Sequence, residues 1–124
     1  MPRHDVTPVT NVFARLDRSV GRGIKGSEIP VAITMAVREL SDAELIGSAR
    51  KGDSDAYGEL YRRHVDSARA AARALTRSRA DADDVTSEAF ARVLRALQAG
   101  GGPDVSFRPY LVTSVRNVFY DRVR

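Results

Sequence analysis

The sequence predicts an all-α protein, a compact bundle of about four helices behind a flexible N-terminal extension. Three observations predict it. From Ser41 onward, apolar residues recur at spacings of three and four, the repeat of one helix face, and no strand alternation competes. Capping residues and glycine stops divide that stretch into helix-length pieces. Ahead of it, residues 1–34 hold six helix breakers (Pro2, Pro8, Gly21, Gly23, Gly26 and Pro30) and no sustained helical period. At 124 residues the chain is one domain, or one domain plus a tail.

The elements follow in order. A short helix over 10–20 would put Val12, Phe13, Leu16 and Val20 on one face. The rest of 1–38 reads as the flexible extension, slightly basic, and 39–124 as the folded domain. Met35 directly precedes the patterned part and is a candidate translation start. Ser41 with Glu44 is a capping box, in which hydroxyl and carboxylate satisfy free first-turn amides. The helix it opens, 41–51, stops at Gly52. Asp53 or Ser54 caps a long helix to about residue 76, with Tyr57, Leu60, Tyr61, His64, Val65, Ala68, Ala71, Ala72 and Leu75 on its apolar face. A third helix, 80–97, buries Ala82, Val85, Ala89, Phe90, Val93, Leu94 and Leu97. Its other face starts with Asp81, Asp84, Ser87 and Glu88 and ends with Arg92 and Arg95, an order that suits the helix dipole. Gly100-Gly101-Gly102-Pro103 must break the helix. Ser106 is expected to cap a fourth helix that runs to the end of the chain. Pro109 falls in its first turn, where a missing N–H costs little. Phe107, Leu111, Val115, Val118 and Phe119 face its core side.

Composition excludes several function classes. There is no Cys, which removes disulfide scaffolds, thiolate zinc sites and cysteine nucleophiles. His4 and His64 are too few for a histidine-rich metal centre. The longest uncharged apolar run, from Ile29 to Val37, is nine residues, against roughly 20 for a membrane span. The expectation is a soluble cytoplasmic protein without cofactor, membrane contact or small-molecule substrate. A net charge of +4 favours a polyanionic partner. Of the basic residues 18 are Arg, which reads first as coding bias from a GC-rich genome. The charge is uneven: 106–124 holds four Arg and one Asp, whereas 80–97 holds four acids and two Arg. Two different partners, or two solvated faces, fit that division.

Four motifs compete with plainer explanations. Gly21 to Gly26 has the spacing GxGxxG, but no strand precedes it, so a glycine-rich linker is the better reading. Asp81, Asp84 and Glu88 share a face and could hold a hard cation, yet no further ligands are evident. A solvated face or a docking face for a basic partner remains. His64 reads as a core histidine with its N–H satisfied, and no nucleophile, base and orienting group assemble, so no enzyme is predicted. Thr113, Arg116, Asn117, Tyr120 and Arg124 are the most informative set. Arg neutralises phosphate, Asn reads base edges and Tyr stacks on unpaired bases, a combination suited to single-stranded nucleic acid. A generic polar helix face fits them equally well on pattern alone.

Four segments in register resemble bacterial sigma factors of the extracytoplasmic-function group. Ser41-Asp42-Ala43-Glu44-Leu45-Ile46, then Gly52-Asp53 and Ala56-Tyr57-Gly58-Glu59-Leu60-Tyr61, resemble that group's opening helices. Asp84-Val85-Thr86-Ser87-Glu88-Ala89-Phe90 resembles its acidic helix. Phe107-Arg108-Pro109-Tyr110-Leu111, with Val115-Arg116-Asn117 and Asp121-Arg122, resembles its promoter-reading helix. The resemblance covers about residues 40–124 and corresponds to the second conserved region.

It implies a fold like sigma-70 region 2 and a protein that docks on RNA polymerase core and recognises and melts the minus-ten promoter element. The acidic helix would meet the clamp helices of the β′ subunit through Asp84, Ser87 and Glu88, with Asp81, Ala91 and Arg92 alongside. Ser87 stands where the family usually has Gln. The loop 99–106 would capture a flipped base of the non-template strand through Gly100, Gly101, Gly102, Pro103, Asp104 and Ser106. Tyr110, Thr113, Arg116, Asn117, Tyr120 and Arg124 would line the melted strand, Tyr110 replacing the commoner Trp. An anti-sigma protein is a partner implied by the family alone. Complete members carry a second domain that reads the minus-thirty-five element, so a fragment is expected. Two rivals stand beside this reading. A helix-turn-helix repressor needs a turn of about three or four residues before its recognition helix, shorter than the 99–106 loop. A protein-interaction module without DNA would bind independently of salt.

Overall fold

Three of the described helices begin where a side chain accepts from amides that the helix cannot satisfy itself, and two end where a glycine turns left-handed. The structure is a computed structural model that describes residues 31–124, with side chains from residue 35 onward. The helix expected over 10–20, the Gly21 to Gly26 run and the flexibility assigned to the extension lie outside the described residues, save for its last eight positions. Five helices are described: α1 Val31–Arg38, α2 Asp42–Arg50, α3 Ser54–Leu75, α4 Arg79–Gln98 and α5 Phe107–Val123. Among the described residues there is no strand.

The Ser41 Oγ accepts from the Glu44 amide at 3.1 Å, and Glu44 Oε1 accepts from the Ser41 amide at 2.8 Å, completing the predicted box. The amide bond to Ser41 holds the Glu44 carboxyl below its usual range. Asp53 Oδ1 accepts from the amides of Asp55 and Ala56, and Ser78 Oγ from that of Asp81. Ser106 departs from expectation. It stands at the N-cap of α5 but makes no side-chain cap bond. The residue three positions on is Pro109, which has no N–H to offer.

Two corners close alike. Gly52 donates to Ala49 O and Asp53 to Ser48 O after α2; Gly100 donates to Leu97 O and Gly101 to Ala96 O after α4. Each pair is a Schellman motif, with a left-handed glycine at φ 102° and 91° respectively.

Helix α3 is the hub, packed against α2, α4 and α5, with α1 laid across it. Its core residues Tyr57, Leu60, Ala68 and Ala72 are buried against Phe90 and Leu97 of α4 and Phe107, Leu111 and Val115 of α5. Tyr57 brings a hydroxyl into this centre. It donates to the Phe90 carbonyl at 2.6 Å, and burial pushes its phenol well above the usual range. The rings of Tyr57, Tyr61 and Phe107 lie 6.4, 4.7 and 6.3 Å from Phe90, tilted or edge-on.

Residues 31–38, the last eight of the expected extension, form α1. Arg63 of α3 donates to the carbonyls of Val37 and Arg38 at 3.4 and 2.9 Å, capping the end of α1. The same guanidinium pairs with Asp42 at 3.0 Å and Glu59 at 2.9 Å. The partly buried Val37 and Leu40 pack on the core beside it. His64 Nε2 lies 2.7 Å from Asp42 Oδ2 and its ring rests on Phe107. It is a core histidine as expected, with one difference: Nδ1 is buried without a partner among the described residues.

Candidate functional site

The acidic face is set by the cap at Ser78, which fixes the first turn of α4 and turns Ala82 and Val85 inward. Asp81, Asp84 and Ser87 are left exposed on the other side. The rest of the predicted docking set differs. Glu88 is half-buried, and its Oε2 meets Arg92 Nε at 3.4 Å and Arg95 Nη2 at 3.3 Å. Arg92 reaches on to Asp121 of α5 at 2.8 Å, and that bond first of all raises its pKa. Ala91 is only 9 % exposed, so it offers little surface to a partner. Among the described residues, the acids of the set outside these ion pairs are Asp81 and Asp84. Among the described residues no group of three His, Asp or Glu is placed to hold a metal ion.

The second face lies on α5. Phe107, Leu111, Val115 and Val118 bury one side. Tyr110, Thr113, Asn117, Tyr120 and Arg124 therefore share the other, at steps of three and four, with Arg116 beside them. All six are exposed, Tyr110 to 38 % and Tyr120 to 49 %. An exposed tyrosine at each end and an amide between them offer flat apolar rings and paired donor and acceptor groups along one line.

The loop between α4 and α5 joins the end of that stripe. Gly100, Gly101, Asp104 and Ser106 are exposed as expected, whereas Gly102 is half-buried and Pro103 buried. Two features here were not read from the sequence. Val105 is 65 % exposed. Arg50, the last residue of α2, sends Nη2 to the carbonyls of Gly101 at 2.9 Å and Pro103 at 2.8 Å and to Asp104 Oδ1 at 3.2 Å. Nothing near Arg50 in the sequence marks it, since its partners lie 51 to 54 positions away.

The three glycines are not equivalent. Gly102 has φ 82°, and a Cβ there would come within 3.0 Å of Leu97 Cδ2. Gly101 has no positive φ and room for a methyl group. Gly102→Ala should thus cost about 1–2 kcal/mol, the left-handed penalty, with Gly101→Ala costing clearly less. Chemical unfolding of the two variants checks this, and equal losses would refute the distinction.

Among the described residues the fold is helical throughout, with an acidic stripe on one helix and a cationic, aromatic stripe on the next, which makes it an all-α module with two unlike faces. The chain belongs to the Sigma-70 region 2 family, which its residues 60–124 match. It is also similar to the ECF RNA polymerase sigma factor BldN of Streptomyces coelicolor, 33% identical over 81 residues. That match takes in 65% of this chain and 31% of the relative, so the chain spans about a third of the relative's length. No solved structure matches the chain. Among the described residues, no helix is long and apolar enough to cross a membrane.

Proposed function

We propose that residues 39–124 are the domain of an extracytoplasmic-function sigma factor that docks on RNA polymerase core and opens the minus-ten promoter element in the bacterial cytoplasm. The observation that carries this is the exposed line of Tyr110, Thr113, Asn117, Tyr120 and Arg124, on a helix whose opposite side is core. Asp81 and Asp84, with Ser87 and Glu88, supply the acidic face for the β′ clamp helices. Acid there repels DNA and directs that side to a basic protein surface. Arg116 and Arg124 attract the phosphates of the non-template strand.

The energetics suit strand opening without nucleotide hydrolysis. Separating duplex DNA forfeits about 1.4 kcal/mol of stacking per base step. A base stacked on an aromatic side chain returns about 1–3 kcal/mol. Tyr110 and Tyr120 together could thus offset about one to four steps. Captured bases in the 99–106 loop and contacts of the polymerase supply the remainder, and catalysis of RNA synthesis belongs to the polymerase. An anti-sigma protein competing for these faces belongs to the same proposal and rests on the family.

Titration of single-stranded and duplex promoter DNA tests it. Asn117→Ala should weaken single-strand binding by about 1–3 kcal/mol, the size of a specific base contact. Each phosphate contact should add about −0.7 to the slope of log affinity against log salt. Unchanged affinity on loss of Asn117 would remove that residue from the site. A preference for duplex would favour the helix-turn-helix repressor instead.

A further inference from the structure

We propose that Arg50 is a positioning residue for base capture: it holds the 99–106 loop in the shape that receives a base and neutralises the carboxylate the loop presents to DNA. The inference rests on the reading of that loop as the base-capturing element.

A loop with glycines at φ 91° and 82° is costly to order, because glycine loses more backbone freedom on fixing than any other residue. Arg50 opposes this from a rigid base. It ends α2 at the corner closed by the Gly52 and Asp53 amides, and its planar fork stays charged at any physiological pH. Three acceptors of the loop converge on its Nη2, at 2.9, 2.8 and 3.2 Å. The carbonyls of Gly101 and Pro103 are thereby drawn inward. Asp104, whose side chain is 83 % exposed, and Val105 are left on the outer side.

Two consequences follow for a strand arriving at this loop. The ordering cost is met before binding, which is where preorganisation raises affinity and selectivity. The Asp104 carboxylate, which by itself repels phosphate, lies against a cation, so its oxygens can accept from a base edge with less electrostatic penalty.

The test uses the full chain loaded on bacterial core polymerase, as wild type, R50K and R50Q. Each selects from a pool of short random single-stranded DNAs, and enrichment is read base by base. Loop amide exchange and the thermal midpoint are measured on the same proteins. Wild type should prefer one base by about tenfold at the loop position. In R50Q that preference should fall below about threefold, with the preferences read by α5 retained and the loop amides exchanging faster. R50K, which keeps the charge but not the fork, should fall between. An unchanged profile in R50Q would overturn the proposal and leave the reading of the loop intact. Uniform weakening at every position, in step with a lower midpoint, would also overturn it by reducing Arg50 to a structural role. Absence of any base preference in wild type would overturn the reading of the loop, and the proposal with it. If R50Q does not fold, Asp104→Asn removes the ion pair at an exposed site and should lower the same preference about twofold, a result R50K must match in direction.

Discussion

Glu88→Lys should abolish capture of core polymerase while the chain remains folded. The site favours a clean result. Glu88 pairs with Arg92 and Arg95, but all three side chains are between a third and two-fifths exposed, so losing both pairs costs at most about 2 kcal/mol. The new lysine would sit four and seven positions before those arginines and turn the centre of an acidic face cationic. Reversing a charge that becomes buried at an interface costs about 2–5 kcal/mol, or roughly thirtyfold or more in affinity. Pull-down of core polymerase, or of the isolated β′ clamp helices, measures this, with circular dichroism to confirm the fold. Undiminished capture by a folded variant would move the docking surface off α4.

Phe90→Ala should be the most damaging single truncation of the core, at about 3–5 kcal/mol. Phe90 is fully buried and contacts rings from α3 and α5 at once. Small domains hold only about 5–15 kcal/mol in total, so this variant should be partly unfolded at room temperature. Its thermal midpoint should drop by about 15 °C or more, at roughly 4–8 °C per kcal/mol for a domain of this size. A loss below about 1.5 kcal/mol would mean that Tyr57, Tyr61 and Phe107 close over the vacated space.

Local physics made the helices readable. The Ser41 and Glu44 pair, the stop at Gly52 and the three-and-four spacing through Tyr57, Leu60, His64 and Ala68 each encode an outcome within one or two turns. The stripe on α5 followed from the same periodicity, since the burial of Leu111 and Val115 decides where Asn117 points. The misses have a different origin. Helix α1 is short and rich in β-branched residues, so its propensity is poor. Its end is capped from α3 by Arg63, a partner 25 positions distant. Pro30 just before it was a start signal that could have been used. Ala91 shares the turn of Glu88, and its burial is a tertiary property that spacing does not encode. Arg50 and the link from Arg92 to Asp121 join residues far apart in the chain, where spacing carries no information.

Arg92 lies on the helix with the acidic face, yet it also grips Asp121 on the helix with the cationic, aromatic face. The two surfaces thus draw on one cation. A partner that takes Glu88 for itself returns Arg92 more fully to Asp121, and a ligand that disturbs Asp121 alters what Glu88 has to offer. If the proposed partners occupy both faces, such linkage is reciprocal, each changing the other's affinity by the same factor. Because both pairs are half-exposed, that conversation between surfaces grows faint as salt rises, and its loudness can be set by ionic strength alone.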